Sequence, residues 1–210
     1  MYVYLKKFID FTAALLSLLL LWPIILLIAL IIKIDSKGPV LFKQKRVGIG
    51  KKTFYIYKFR TMRVDTPKDM PTHMLEDPYY FITRVGKFLR KSSLDELPQL
   101  FNIIKGEMSI VGPRPALWNQ KDLINERDKH GANDIYPGLT GWAQINGRDE
   151  LPIKVKAVLD GEYVEKMSFS FDCLCIIKTL TSIFKGSGIV EGSYEKQDNK
   201  QQVHMKKVEK

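Results

Sequence analysis

Asp95 and Glu96 stand side by side within the stretch 84–115, RVGKFLRKSSLDELPQLFNIIKGEMSIVGPRP. Adjacent carboxylates can divide labour, one attacking an electrophile while the other holds a divalent cation. Their surroundings are cationic. Lys87, Arg90 and Lys91 lie just upstream, and Gly112-Pro113-Arg114-Pro115 sets an arginine between two prolines. Proline fixes its own φ and pushes the preceding residue out of the helical region, so the Arg114 backbone is held at low entropic cost. A guanidinium fixed in this way suits bidentate contact with a phosphate. Acidic pair, immobilised arginine and basic cluster together point to phosphoryl chemistry, in which the cations screen a carboxylate as it approaches a charged diphosphate. The plainer reading of a Ser-x-Asp-Glu start is a helix cap, with acids that serve only the macrodipole at about 0.3–1 kcal/mol each.

The elements that would position these groups are readable from periodicity. A helix is predicted over 94–105, with Pro98 in its first turn and Leu97, Leu100, Phe101 and Ile104 at helical spacing. Two strands, 39–47 and 53–62, flank a Gly-rich turn and form a hairpin, and alternation puts Lys58 and Arg60 on one face. Residues 64–78 carry Pro67, Pro71 and Pro78 and read as a loop. Helices are expected at 83–91, 116–130, 152–167 and 169–185. In the last, Cys173, Ile176, Ile177, Leu180, Ile183 and Phe184 form an apolar stripe, read as core-facing, with contact to a membrane surface as the alternative. Segment 136–148, with Gly138, Gly141 and Gly147 around Gln144, Asn146 and Arg148, is either a ligand-contacting loop or a structural cap. Its glycine spacing matches neither a phosphate-binding P-loop nor a dinucleotide fingerprint.

The whole chain has 210 residues and a formal net charge of +10, which suits one domain with appendages and an anionic partner or surface. Cys173 and Cys175 cannot build a disulfide framework, and His73, His130 and His204 are too scattered for a metal site. Residues 11–32 are 22 positions without a charge, long enough to enter a bilayer. Pro23 interrupts them after Trp22. Lys6 and Lys7 precede the run, and ten Lys/Arg against the single acid Asp35 occupy 33–63, so both flanks favour the cytoplasmic side. A helix bent at Trp22-Pro23 and re-entering the same leaflet satisfies both pulls. A kinked single span is the competing arrangement. From Glu191 the chain is polar and reads as a disordered tail.

Tyr-Lys-Phe-Arg-Thr-Met at 57–62, Ser-Leu-Asp-Glu-Leu-Pro-Gln at 93–99, Gly-Glu-Met-Ser-Ile-Val-Gly-Pro-Arg-Pro at 106–115 and Pro-Gly-Leu-Thr-Gly-Trp-Ala-Gln-Ile-Asn-Gly-Arg at 137–148 follow a basic, Pro-interrupted anchor. In this order they resemble the bacterial sugar transferases, the monotopic polyprenol-phosphate phosphoglycosyl transferases in their small catalytic-core form. The resemblance covers about residues 1–190. It implies an α+β fold: a mainly helical catalytic domain (34–190) with a small β-hairpin, a re-entrant membrane helix (1–33) before it and the polar tail (191–210) after it. It also implies transfer of sugar-1-phosphate from a UDP-sugar to undecaprenyl or another polyprenyl phosphate, with release of UMP, at the cytoplasmic face of the bacterial inner membrane among anionic lipids. In that family's terms Asp95 is the nucleophile and Glu96 the Mg²⁺ ligand. Arg114, Gly112 and Pro113 hold phosphate, helped by Arg90 and Lys58; Arg60, Gln144, Asn146 and Arg148 are further binding candidates. The family's helix break corresponds to Pro23, although Trp22 stands where serine is common. A homodimer is compatible with this reading. The sugar and the downstream glycan are not specified.

Two readings of other classes compete. A membrane-tethered nucleic-acid-binding module would use the positive charge and aromatics but gives Asp95 and Glu96 no role, and they would repel phosphates. A non-catalytic scaffold for polysaccharide enzymes would reduce the dyad to a cap.

Overall fold

The computed structural model describes residues 2–67, 78–147 and 151–185. The fold is α+β. Its first element, α1 (Tyr2–Asp35), is one helix of 34 residues, about 51 Å long at 1.5 Å per residue. Helical assignment runs through Pro23, so the sequence expectation of two half-helices becomes one continuous element with the proline inside it. Pro23 removes one N–H and crowds the carbonyl four residues back, which weakens the helix there without ending it. Lys6, Asp10, Ala14, Ile28 and Ile32 form the buried stripe, whereas Leu19, Leu20, Trp22, Leu26 and Leu27 are exposed.

Both ends of α1 grip the same body. Ala14 packs with Ile56, Leu100, Ile103 and Met108, and Ile28 and Ile32 pack with Phe59 and Leu89. Polar contacts fasten the start of the helix. Lys6 Nζ lies 2.6 Å from Asp172 Oδ2 and 3.4 Å from Asp10 Oδ2. Tyr2 and Tyr163 hydroxyls also donate to Asp172, at 2.6 and 2.7 Å, and Ser109 donates to Asp10.

Strands β1 (Leu41–Val47) and β2 (Thr53–Phe59) pair antiparallel from Leu41↔Phe59 to Val47↔Thr53, as the alternation predicts. After α2 (Pro78–Phe81), helix α3 (Arg84–Lys91) is capped by the Thr83 side chain, which accepts from Gly86 N at 2.9 Å. A Cβ on Gly86 would sit 2.0 Å from the Thr61 carbonyl oxygen, so only glycine lets α3 cross this backbone so closely. The predicted helix 94–105 is a 3₁₀ turn (Leu94–Gln99) leading into α4 (Leu100–Ile104).

Strand β3 (Ser109–Val111) pairs parallel with β4 (Gly138–Thr140), and α5 (Lys121–Asp128) lies in the crossover. The expected helix 116–130 thus shrinks to α5. Leu117 instead bridges to Arg46, which extends the chain before the helix begins. The segment read as a loop at 136–148 contains β4 and α6 (Trp142–Ile145). Helices α7 (Ile153–Lys166) and α8 (Phe169–Lys185) lie where periodicity puts them.

The face of α8 is corrected. Over 169–182 its buried positions are Asp172 and Cys175, while Ile177 and Leu180 are 60% and 52% exposed and Ile176 is also exposed. Asp172, bound to donors from α1 and α7, fixes the helix's rotation, and Ile176, Ile177 and Leu180 are left outward. Both cysteines are free thiols. His73, residues 68–77 of the expected loop and the tail from 191 lie outside the described residues.

Asp172→Ala would leave Lys6 with only its longer contact to Asp10. The expected cost is about 3 kcal/mol of stability, since breaking a buried ion pair strands a charge. Thermal unfolding in nanodiscs, with limited proteolysis at the start of α1, checks this; unchanged melting and unchanged cleavage would contradict it.

Candidate active site

The Asp95–Glu96 turn is seated from below. Leu94 and Leu97, three apart in a 3₁₀ turn and therefore on one side, pack into the cluster of Ile28, Ile32, Phe59 and Leu89. Asp95 and Glu96 consequently face away from it. Ser93, just before them, has φ +56°, a left-handed conformation that costs a non-glycine residue about 1–3 kcal/mol. Its side chain makes no capping hydrogen bond, so the turn is not the serine-capped helix start of the plainer sequence reading.

Three cations surround the pair. Lys58, near the end of β2, donates from Nζ to Glu96 Oε1 at 2.6 Å and lies 4.0 Å from Asp95 Oδ2. Arg114 Nη2 and Nη1 approach Glu96 Oε1 at 3.3 and 3.4 Å. Arg90, at the end of α3, contributes a favourable field at Asp95. Asp95 itself is 9% exposed. Burial pushes its carboxyl up to about 6; Lys58 opposes the rise, Glu96 adds to it, and Arg90 and Arg114 oppose it more weakly. At neutral pH this carboxylate is mostly ionised yet poorly solvated, the condition of a usable oxygen nucleophile.

The Gly-Pro-Arg-Pro segment is pinned by its backbone. Gly112 N donates to Thr140 O at 2.8 Å, and Pro113 O accepts from Gly138 N at 2.9 Å. Arg127 Nη1 donates to Arg114 O and Arg46 Nη1 to Pro115 O, both at 2.9 Å. Arg127 is held in turn by buried Asp160, through Nε at 2.8 Å and Nη2 at 2.6 Å. A Cβ on Gly112 would lie 2.4 Å from Tyr136 O, which explains the glycine as a close crossing of two chains.

This geometry sorts the sequence candidates. Asp95, Glu96, Lys58, Arg90 and Arg114 come together. Gly112 and Pro113 spend their backbone groups on β4 and its flank, so they position Arg114 rather than offer donors to phosphate. Arg60 is 5% exposed and donates to Ser36 O, Ser36 Oγ and Lys37 O, tying down the exit of α1 away from the dyad. Gln144 donates to Leu139 O and Asn146 to Trp142 O, which gives both amides a local structural task. Arg148 lies outside the described residues. Arg46, Arg127 and Asp160 were not foreseen. The available signal was an aspartate among small residues, Ala157, Asp160 and Gly161, on the inner stripe of α7.

Among the described residues no group of three or more His, Cys, Asp and Glu side chains gathers as a metal cage. The dyad nevertheless fits Mg²⁺, a hard cation bound through one or two carboxylates with the remaining positions left to water and substrate phosphate.

A model of the family described as bacterial sugar transferase matches residues 1–186. A Bacillus subtilis (strain 168) protein named uncharacterized sugar transferase EpsL is 38% identical over 190 residues, covering 90% of this chain and 92% of that protein. The chain belongs to the bacterial sugar transferase family. This sugar transferase also matches the UDP-glucose:undecaprenyl-phosphate glucose-1-phosphate transferases of Xanthomonas campestris pv. campestris and Escherichia coli (strain K12). Identity is 40% in both cases, over 189 and 190 residues and 87% of this chain. It spans only 39% and 40% of the length of those two relatives.

The raised Asp95 carboxyl has a stability signature. Below pH about 4 the group is protonated in both folded and unfolded chains and has no effect. Between about 4 and 6 the folded chain holds the proton more tightly, so stability falls as pH rises, by up to about 3 kcal/mol, and is level above 6. Melting curves of wild type and Asp95→Asn across pH 4–8 should converge at the low end and diverge above it, the wild type being less stable. A constant gap across the range would contradict the assignment.

Proposed function

We propose that the protein transfers sugar-1-phosphate from a UDP-sugar to undecaprenyl, or another polyprenyl, phosphate and releases UMP. The observation that carries this reading is the buried, cation-ringed Asp95 beside Glu96 in a chain of this family. In the first half-reaction an Asp95 oxygen attacks the sugar-bearing phosphorus. The phosphoanhydride bond breaks, UMP departs with the electron pair, and an aspartyl phosphosugar remains. In the second, an oxygen of the lipid phosphate attacks the same phosphorus, the acyl–phosphate bond breaks, and the Asp95 carboxylate is restored. One anhydride is lost and one gained, so the exchange needs no separate energy source.

Each cation has a task. Lys58 and Arg114 now neutralise Glu96, and with Arg90 they would balance the donor's phosphates as these enter. Mg²⁺, held by Glu96, would supply further charge neutralisation at the diphosphate. Arg46, and Arg127 with Asp160, keep the Arg114 backbone still, so its guanidinium is presented without an ordering cost.

Membrane seating follows from α1. Its exposed apolar middle and the outward Ile176, Ile177 and Leu180 of α8 support membrane association. Because the start and end of α1 both bind one body, we read the helix as dipping into a single leaflet of the inner membrane with the catalytic domain on the cytoplasmic side. A helix with its first residues across the bilayer would have to abandon Asp172. Ten basic residues over 33–63 reinforce contact with anionic lipid, at roughly 1 kcal/mol each near the surface.

Purified full chain in nanodiscs, given Mg²⁺, polyprenyl phosphate and a panel of UDP-sugars, should release UMP with at least one donor. Its rate should rise through pH 6 and level off, and Asp95→Asn should be inactive. UMP release unchanged in that variant would remove Asp95 from the nucleophile's role, and no release with any donor would favour the scaffold reading.

A further inference from the structure

A cavity of about 610 Å³ lies between the first turns of α1 and the body of the domain. Its lining includes none of Lys58, Asp95, Glu96 and Arg114, so it is separate from the candidate active site. Phe11, Ile104, Met108, Ile135 and Met167 supply much of the wall, and Val3 stands at the edge. Of the polar groups that line it, Lys6, Asp10, Ser109 and Tyr163 are bonded to one another or to Asp172, while the exposed Asp134 carboxylate and the phenols of Tyr4 and Tyr136 also face it. Lys7 is exposed, and its Nζ sits 4.6 Å from the centre of the Tyr136 ring, at one side of the same opening.

Size, wall and rim select a chemistry. The volume falls within the roughly 300–1,000 Å³ typical of ligand sites. A UDP-sugar needs many donors and would find an apolar wall, so the nucleotide donor is a poor occupant. Val3 and Phe11 belong to the helix that enters the bilayer, so a chain could pass from lipid into the cavity without crossing water. A cation over an aromatic ring at the rim keeps N–H donors for a phosphate.

We infer that this cavity binds a lipid with a phosphate headgroup, its apolar chain inside and its phosphate at Lys7. Polyprenyl phosphate and a bilayer glycerophospholipid share this chemistry. The inference rests on the membrane seating proposed for α1 and goes beyond it, because a helix can dip into a leaflet without any internal lipid site.

The test uses full-length protein in nanodiscs of phosphatidylethanolamine and phosphatidylglycerol. One arm carries trace phosphatidylglycerol with a diazirine in its acyl chain, and the other a diazirine-bearing polyprenyl phosphate. After irradiation the labelled residues are mapped by peptide mass spectrometry. At least one probe should mark Ile104, Met108 or Ile135, and the identity of that probe names the source. Val3→Trp, which fills the mouth, should lower cavity labelling by on the order of tenfold, as expected if about two methylenes lose their apolar surface. Lys7→Glu should lower it as well, while labelling of outward Leu20 and Leu27 is unchanged in both variants. Leu20 and Leu27 labelled with the cavity unlabelled, or cavity labelling indifferent to Val3→Trp, would overturn the inference and leave the seating intact. No label on Leu20 or Leu27 would overturn the seating and the inference with it.

Discussion

The contact between Lys58 and the Asp95–Glu96 pair joins the end of a β-hairpin to a 3₁₀ turn 38 residues further along the chain. Asp95 is buried, and its burial together with the charge of half-buried Glu96 beside it resists ionisation of the Asp95 carboxyl. A single ammonium 2.6 Å from one and 4.0 Å from the other makes the arrangement tolerable without abolishing its tension. Much of the architecture can be read as what fixes that lysine and that turn together. β2 contributes Phe59 to the same apolar cluster that receives Leu94 and Leu97, so strand and turn share a floor. The floor itself includes Ile28 and Ile32 of α1. The membrane-type helix is thus part of the foundation of the site, and a disturbance of its last turns would reach the carboxylates through two leucines.

Arg114 shows a second layer of the same logic. The flanking prolines restrict its dihedral angles, as read from sequence, but its place in space is set by partners far away in the chain. Parallel pairing of β3 with β4 holds the front of the segment, and two arginines hold the carbonyls behind it. Arg127 can serve because Asp160 neutralises it inside the protein. Such a buried pair contributes little to stability against an apolar alternative, but it specifies one geometry.

How much of this was legible follows from the range of each signal. The hairpin, α3, α7 and α8 are legible in local periodicity, the dyad, Arg90 and Arg114 in charge types around a rigid turn, and Lys58 in the resemblance to the family. For Arg60 the alternation of β2 does not carry past Phe59, where the strand ends, and the guanidinium turns to the exit of α1. On α8, hydrophobicity alone does not set the inward face. Asp172, bound to donors from two other helices, outweighed the apolar stripe, and an apolar stripe beside a membrane need not point inward. β3 and β4 have three residues each, too short for any period, and Arg46, Arg127 and Asp160 act only across long-range contacts.

In the proposed reaction, membrane seating and chemistry meet at the lipid acceptor, whose phosphate would lie at the level of the headgroups. A two-step displacement suits that location, since the soluble donor can leave before the lipid arrives, provided the sugar phosphate waits on the protein. The most direct measurement is intact-protein and peptide mass spectrometry after mixing the enzyme with a competent UDP-sugar and Mg²⁺ in the absence of any polyprenyl phosphate. The account predicts a mass increase of one glycosyl phosphate on the peptide containing Asp95, removed when lipid phosphate is added and never formed in Asp95→Asn. An enzyme that turns over with lipid yet stays unmodified without it, under rapid quench, would contradict it.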